Sequence, residues 1–311
     1  MTVLRIRARR CARGLRAATL MALSMCACSA PPDKASPAPL TAILRLDGAR
    51  RASAVLIDPR GWALTAFHAL DPSDQQAHVE GREPLSLRLK RADPERDLAL
   101  IELIGTGPFP FLECGPRPPL HAAVRALGRA PDGTLNMTSG RVEMPRASLP
   151  PSLLDLDVEG RPLALRGAII HSAKLRAGDS GGALLDARGR VVGVHVAGTR
   201  GRASLAMPVT DFLAGRAPPD RPGTFDLEGE LSWLLETLDE HWRSGGHPQA
   251  RRAAIRAQLH ARARRESAAG RGRRELLRSL WKAGLEALPA AESGAPRGLR
   301  ISGAEPRSPG R

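Results

Sequence analysis

Between residues 40 and 213 the apolar positions come in short runs, several alternating with polar ones: "TAILRLD", "ASAVLID", "WALTAF", "LSLRLK", "LALIEL", "AAVRALG", "LALRGAII", "VVGVHVA" and "ASLAMPV". Clusters of Gly, Pro and Asp separate them, and "DPRG" (58–61) and "DARG" (186–189) read as tight turns between neighbouring strands. Short strands at this spacing, with no helical pattern between them, predict an all-β barrel or sandwich. Residues 214–225 are rich in Pro and Gly and read as a linker. The period then changes. Leu231, Leu234, Leu235, Leu238 and Trp242 fall on one face of a helix. A second, weakly apolar helix follows over 248–270, and a third over 273–288 with Leu277, Leu280, Trp281 and Leu288 on one side. Residues 226–289 are thus expected to form a helical, Arg-rich extension, and 290–311, poor in large apolar residues, a disordered tail.

Composition alters this picture mainly at the amino end. Formal net charge is +15, and arginine far outnumbers lysine. The stretch "MTVLRIRARRCARGLR" holds six Arg and no acid, and "AATLMALSMCA" is a short apolar run. A basic start, an apolar stretch and small residues after it describe an export signal over 1–27. The run is too short for a membrane-spanning helix. "MCAC" resembles a bacterial lipobox, with Cys28 after the small Ala27 as the residue that would be lipidated. Residues 28–39, Pro-, Ala- and Ser-rich, read as a tether. The expected location is the periplasm or cell envelope, with a lipid anchor in a membrane. Cys114 is then the one thiol of the mature chain besides Cys28, and no internal disulfide is expected.

The chemistry concentrates in "LRAGDSGGALLDARGRVVGVHVAG" (175–198), where Ser180 sits on a glycine turn ahead of two apolar strands. A serine hydroxyl is a weak nucleophile unless a base, itself oriented by a third group, takes its proton. It also needs donors where negative charge develops. "GWALTAFHAL" places His68 just past a buried strand, and "DPERDLALIEL" places Asp97 at the start of another. Asp93 competes with Asp97 but precedes Pro94 and is not followed directly by the apolar strand. Taken singly, each has a plain structural explanation: a surface or core histidine, a strand-entry turn residue, a hairpin serine.

Together, in the order His, Asp, Ser and with these flanks, they resemble the trypsin/chymotrypsin-like serine peptidases, most closely the HtrA-type bacterial protease domain. "ASAVLIDPRGWALTAFHAL", "RDLALIEL", "AGDSGGALLDARGRVVGVHVAG" and "ASLAMPVTDFL" carry the resemblance over residues 40–213. It implies two six-stranded β-barrels with the site between them, followed here by the smaller helical extension. It also implies His68 as general base and acid, Asp97 as its orienter, Ser180 as nucleophile, and the backbone N–H groups of Gly178 and Ser180 as oxyanion hole. The strand "VVGVHVAG" would offer an edge to the substrate.

The chain departs from the family in two respects. It has no Ile-Val-Gly-Gly-like start, so activation by a newly made amino terminus is not expected. Its extension is helical where HtrA-type proteins continue into a PDZ domain. Lys174 and His195 fall where relatives place their primary-pocket determinants, His195 as in glutamyl endopeptidases. With Val196, Ala197 and Gly198 they form a candidate pocket for acidic or small polar residues, a small aliphatic pocket being the alternative. From 250 to 282 there are eleven Lys/Arg and two Glu, a balance of 11 − 2 = +9. These residues are expected to be a solvated helical face, with contact to anionic lipid as the other reading. Interleaved aromatics are lacking, so nucleic acid is not expected as a partner. No metal-ligand spacing or phosphate-binding loop appears, and no cofactor is expected. The resulting expectation is an exported serine endopeptidase acting on protein or peptide. The alternatives are a fold-keeping pseudoenzyme, or an adaptor lipoprotein working through its basic helices.

Overall fold

The alternating runs close into two barrels. The computed structural model describes residues 40–48, 50–70, 75–154, 157–158, 161–162, 164–199, 203–215 and 226–288. The export signal, Cys28, the tether, most of the linker and the tail lie outside the described residues.

In the first barrel β1 (Ile43–Asp47), β2 (Ala52–Leu56), β3 (Trp62–Ala66), β4 (Gln76–His78), β5 (Leu85–Asp93) and β6 (Leu98–Leu103) close in the order β1-β2-β3-β6-β5-β4. In the second, β7 (Ala123–Arg129) and β8 (Leu135–Leu149) come first, then a short ladder of β9 (Asp157–Val158) and β10 (Arg161–Pro162). β11 (Leu165–His171), β12 (Ala183–Leu185), β13 (Val191–Thr199) and β14 (Ala203–Pro208) complete a barrel in the order β11-β14-β13-β12-β7-β8. All pairings in both barrels are antiparallel.

Each barrel has a hairpin built from the same Asp-x-Arg-Gly turn. Asp58 Oδ1 accepts the Arg60 N–H (2.8 Å) between β2 and β3, and Asp186 Oδ1 the Arg188 N–H (2.9 Å) between β12 and β13. The closing glycines donate to the Asp carbonyls at 3.1 and 3.0 Å. This is the Asx-turn chemistry that the sequence advertised. A largely aliphatic core runs through both barrels, and a smaller cluster of Val124, Val142, Ile169, Leu184, Val192 and Ala206 packs beside β7, β11 and β13.

Two short helices, α1 (Pro151–Leu154) and α2 (Val209–Leu213), precede the extension of α3 (Leu227–Ser244), α4 (Gln249–Ala268) and α5 (Arg273–Ala287). Asp226 caps α3, its Oδ1 accepting the Gly229 N–H at 2.8 Å. The predicted face of α3 is buried against Leu276, Leu277 and Leu280 of α5, and Trp242 Nε1 donates to the Gly284 carbonyl at 2.9 Å. α3 also docks on the second barrel. Thr237 Oγ1 accepts the Ser148 N–H (2.6 Å) and donates to the Ser148 carbonyl (2.8 Å), and the buried Glu230 accepts from Ser152 Oγ at 2.8 Å. α4 is mostly exposed. Arg252 pairs with Asp239 and Arg262 with Glu266, each at 2.6 Å. Arg251, Arg256, Arg264, Arg265 and Arg278 are exposed with no carboxylate partner among the described residues. Among those residues, no helix is long and apolar enough to cross a membrane.

Candidate active site

His68 and Asp97 are both carried by the first barrel. β3 ends at Ala66, and the chain makes one 3-10 turn, Phe67–Ala69, that lifts His68 off the barrel end. Asp97 precedes β6 with φ +53°, a left-handed conformation that a short polar side chain tolerates better than most. Three bonds fix the pair. The Asp97 carbonyl accepts the Phe67 N–H (3.0 Å), Oδ1 accepts the His68 N–H (2.8 Å), and Oδ2 lies 2.6 Å from His68 Nδ1. Asp97 is fully buried, whereas the His68 side chain is 19% exposed. With Nδ1–H donating to the carboxylate, Nε2 is left with its lone pair outward. Asp93 faces elsewhere: its carboxylate takes Arg96 Nη1 (2.5 Å) and the Arg96 N–H (3.0 Å), holding the turn that leads to Asp97.

Ser180 is set by the second barrel. The turn folds on itself through Asp179 N–H to the Arg176 carbonyl (3.1 Å) and Gly182 N–H to the Asp179 carbonyl (2.9 Å). Gly178 and Gly181 take φ of +94° and +83°, where glycine alone is unstrained. Gly181 is also pinned for lack of space: a Cβ there would lie 2.0 Å from the Ser53 carbonyl oxygen and 2.3 Å from Thr65 Oγ1. Its N–H donates to the His195 carbonyl at 2.7 Å.

Ser53, on β2, joins the two barrels at this point. Its N–H donates to the Ser180 carbonyl (2.8 Å), its Oγ donates to the Gly178 carbonyl (2.7 Å) and accepts the Arg129 N–H (2.7 Å), and its carbonyl accepts Thr65 Oγ1 (2.8 Å). The Ser180 turn therefore rests on Thr65 and Ala66, the latter two residues before His68. Among the described residues, the N–H groups of Gly178 and Ser180 make no hydrogen bond, and none joins Ser180 Oγ to the His68 ring. In a free site such a bond is often long and tightens only around substrate.

The pocket candidates differ in their settings. Lys174 is exposed, and its carbonyl accepts Thr138 Oγ1 at 2.8 Å. His195 is fully buried, its ring 5.3 Å from that of the equally buried His171. Among the described residues the four ring nitrogens of the two make no hydrogen bond of ordinary geometry, and burial, against a weaker opposing pull from the Ala173 and Ala183 backbones, holds both imidazoles neutral, that of His171 with its pKa lowered to about 4. His195 holds the Ser180 turn through its main chain, donating to the Gly182 carbonyl at 2.9 Å. Val196 is buried. The backbones of Ala197 and Gly198 pair with Leu205 and Ser204 of β14, while the β12 ladder stops at Val194. Among the described residues this leaves one side of 196–198 open as a strand edge. Cys114 is no rival nucleophile, because burial pushes its thiol up to about 11.

Sequence reasoning missed Ser53 and Asn136, whose amide bonds Asp179. Ser53 had left a signal, a lone hydroxyl in the otherwise apolar strand "ASAVL". Asn136 left none.

Two six-stranded barrels meeting at a His–Asp pair and a glycine-flanked serine define a trypsin-like peptidase fold. Residues 52–194 match the model of the trypsin-like peptidase domain. Among solved structures, the chain is similar to the MamO protease domain from Magnetospirillum magneticum in its apo form. Identity is 19%, TM-score 0.50, with 58% of this chain and 99% of that one covered. The active form of the Rv3671c protease from M. tuberculosis matches at 22% identity and TM-score 0.48, covering 59% of this chain and 87% of that one. At this identity the first likeness shows the fold alone. No curated protein matches the chain.

Proposed function

We propose that the chain is an exported serine endopeptidase. The observation that carries this reading is the 2.6 Å His68–Asp97 contact, with its carboxylate fully buried, beside a serine turn locked to the strand leading to His68. His68 Nε2 takes the Ser180 Oγ proton as the oxygen attacks the scissile carbonyl. The N–H groups of Gly178 and Ser180 receive the oxyanion. His68 then returns the proton to the leaving amine, and water, activated by the same nitrogen, releases the acyl group. The open backbone of 196–198 suits an extended peptide added as a strand. Cys28 and the preceding 27 residues support export with a lipid anchor, and the exposed Arg251, Arg256, Arg264, Arg265 and Arg278 suit contact with an anionic membrane.

Labelling of the purified protein with a fluorophosphonate probe tests the chemistry. The expected result is labelling that disappears in Ser180→Ala. A folded wild type that never labels would leave the pseudoenzyme reading. For the anchor, the test is incorporation of radioactive palmitate in the producing bacterium, expected to vanish in Cys28→Ala.

A further inference from the structure

The carboxylate next to the nucleophile is buried and takes no part in the proposed reaction. Asp179 is 3% exposed. Its Oδ1 accepts Asn136 Nδ2 at 3.0 Å, and its Oδ2 accepts the Arg176 N–H at 2.7 Å. Arg176 Nη1 in turn donates to Asn136 Oδ1 at 3.3 Å, so the amide is oriented at both ends. β7 makes room for the carboxylate, since a Cβ on Gly128 would lie 2.4 Å from Asp179 Oδ1. Three separate pieces of chain, β7, β8 and the turn itself, thus converge on one side chain. Both carboxylate oxygens are occupied by groups of the fold.

We propose that Asn136 is a positioning residue for the nucleophile: through Asp179 it holds the Gly178–Ser180 turn in the shape that keeps both oxyanion N–H groups free. This deepens the peptidase reading and rests on it for its catalytic consequence. The device sits at the base of the turn, on the barrel side, and leaves Ser180 itself untouched. It works with Asp179 ionised, the form that accepts both bonds. Burial pushes the carboxyl up, and the Arg176 N–H, the Asn136 amide and the Arg176 charge pull it only part of the way back. Of the other titratable neighbours, Arg129 on β7 turns its guanidinium to Glu80 (3.0 Å), and His195 on β13 stays neutral. Removing the amide therefore moves the protonation of Asp179 to higher pH.

The test compares wild type, Asn136→Ala, Asp179→Asn and the double variant by fluorophosphonate labelling rate across pH, with amide hydrogen exchange at Gly181 and Gly182. Asn136→Ala is expected to label about 10- to 100-fold more slowly, as for a nucleophile misplaced by a fraction of an ångström. Its acid limb moves to higher pH, and its effect disappears in the Asp179→Asn background. Asn136→Ser, which keeps a donor and serves if the alanine variant folds poorly, falls between. An unchanged rate and pH profile, or effects that multiply in the double variant, overturn the proposal. If even the wild type does not label, the peptidase reading falls, and exchange still decides for Asn136. Faster exchange at Gly181 and Gly182 in the variant supports it, and equal exchange overturns it.

Discussion

The two halves of the site are held by different kinds of interaction. On the first barrel, side chains do the holding: a buried carboxylate grips an imidazole by its ring and by its main chain. On the second barrel, the main chain does most of it: glycines, carbonyls and N–H groups of a tight turn are pressed against β2 and β3, with the Asp179 carboxylate and Ser53 Oγ as side-chain supports. A side-chain grip can be released one atom at a time, with the barrel intact around it. A backbone grip cannot, because any added atom displaces chain.

That contrast is broken most severely at Gly181. Gly181→Ala forces a Cβ to within 2.0 Å of a backbone oxygen at φ +83°, so loss of all labelling and a stability loss of about 3 kcal/mol or more are expected in thermal melts. Asp97→Asn probes the other grip. It should leave the melting temperature nearly unchanged while slowing acylation by ~10⁴-fold through the wrong imidazole tautomer. A large drop in stability instead would mean that both halves are structural in the same sense.

Acid sensitivity should also be one-sided. His171 is buried neutral with its pKa near 4, whereas in the unfolded chain it takes up a proton near its ordinary 6.5. The unfolded state therefore binds more protons as pH falls from about 6.5 to about 4, and stability declines over that window by about 3 kcal/mol. His171→Leu should remove that share of the decline, the buried His195 and His241 keeping theirs, as read by denaturant melts at each pH. The smallest effect is expected at Ser53→Ala, which leaves the Gly178 carbonyl and the Arg129 N–H without their partner. About 1–2 kcal/mol of stability should be lost, with a labelling rate reduced less than in Asp97→Asn.

What the sequence announced follows the same division. Period-two runs, Asp-x-Arg-Gly turns and the helical face from Leu231 to Trp242 depend on local pattern, and each was readable. β8 was not, because its fifteen residues, "LNMTSGRVEMPRASL", carry few large apolar side chains and bend through register shifts against β11. β4 is three residues long and too short to show a period. Asp97, preferred to Asp93 by its flanks, is the carboxylate that contacts His68, while Asp93 lies with Arg96. Asn136 was invisible because its role depends on a contact 43 residues away, which no local pattern encodes. His195 carried a local signal, but not its complete burial.

Ser53 also bears on how a substrate can enter. One residue of β2 engages Ser180, Gly178 and Arg129 across the meeting line of the barrels and Thr65 within its own, four contacts of 2.7–2.8 Å in all. That line behaves as a seam, not a hinge. A clam-like opening of the barrels would tear out the carbonyls that shape the nucleophile turn, so the groove is not widened by domain rotation. Adaptation to a bulky substrate is left to the loops around the groove, and induced fit here is a matter of loop movement over a fixed floor.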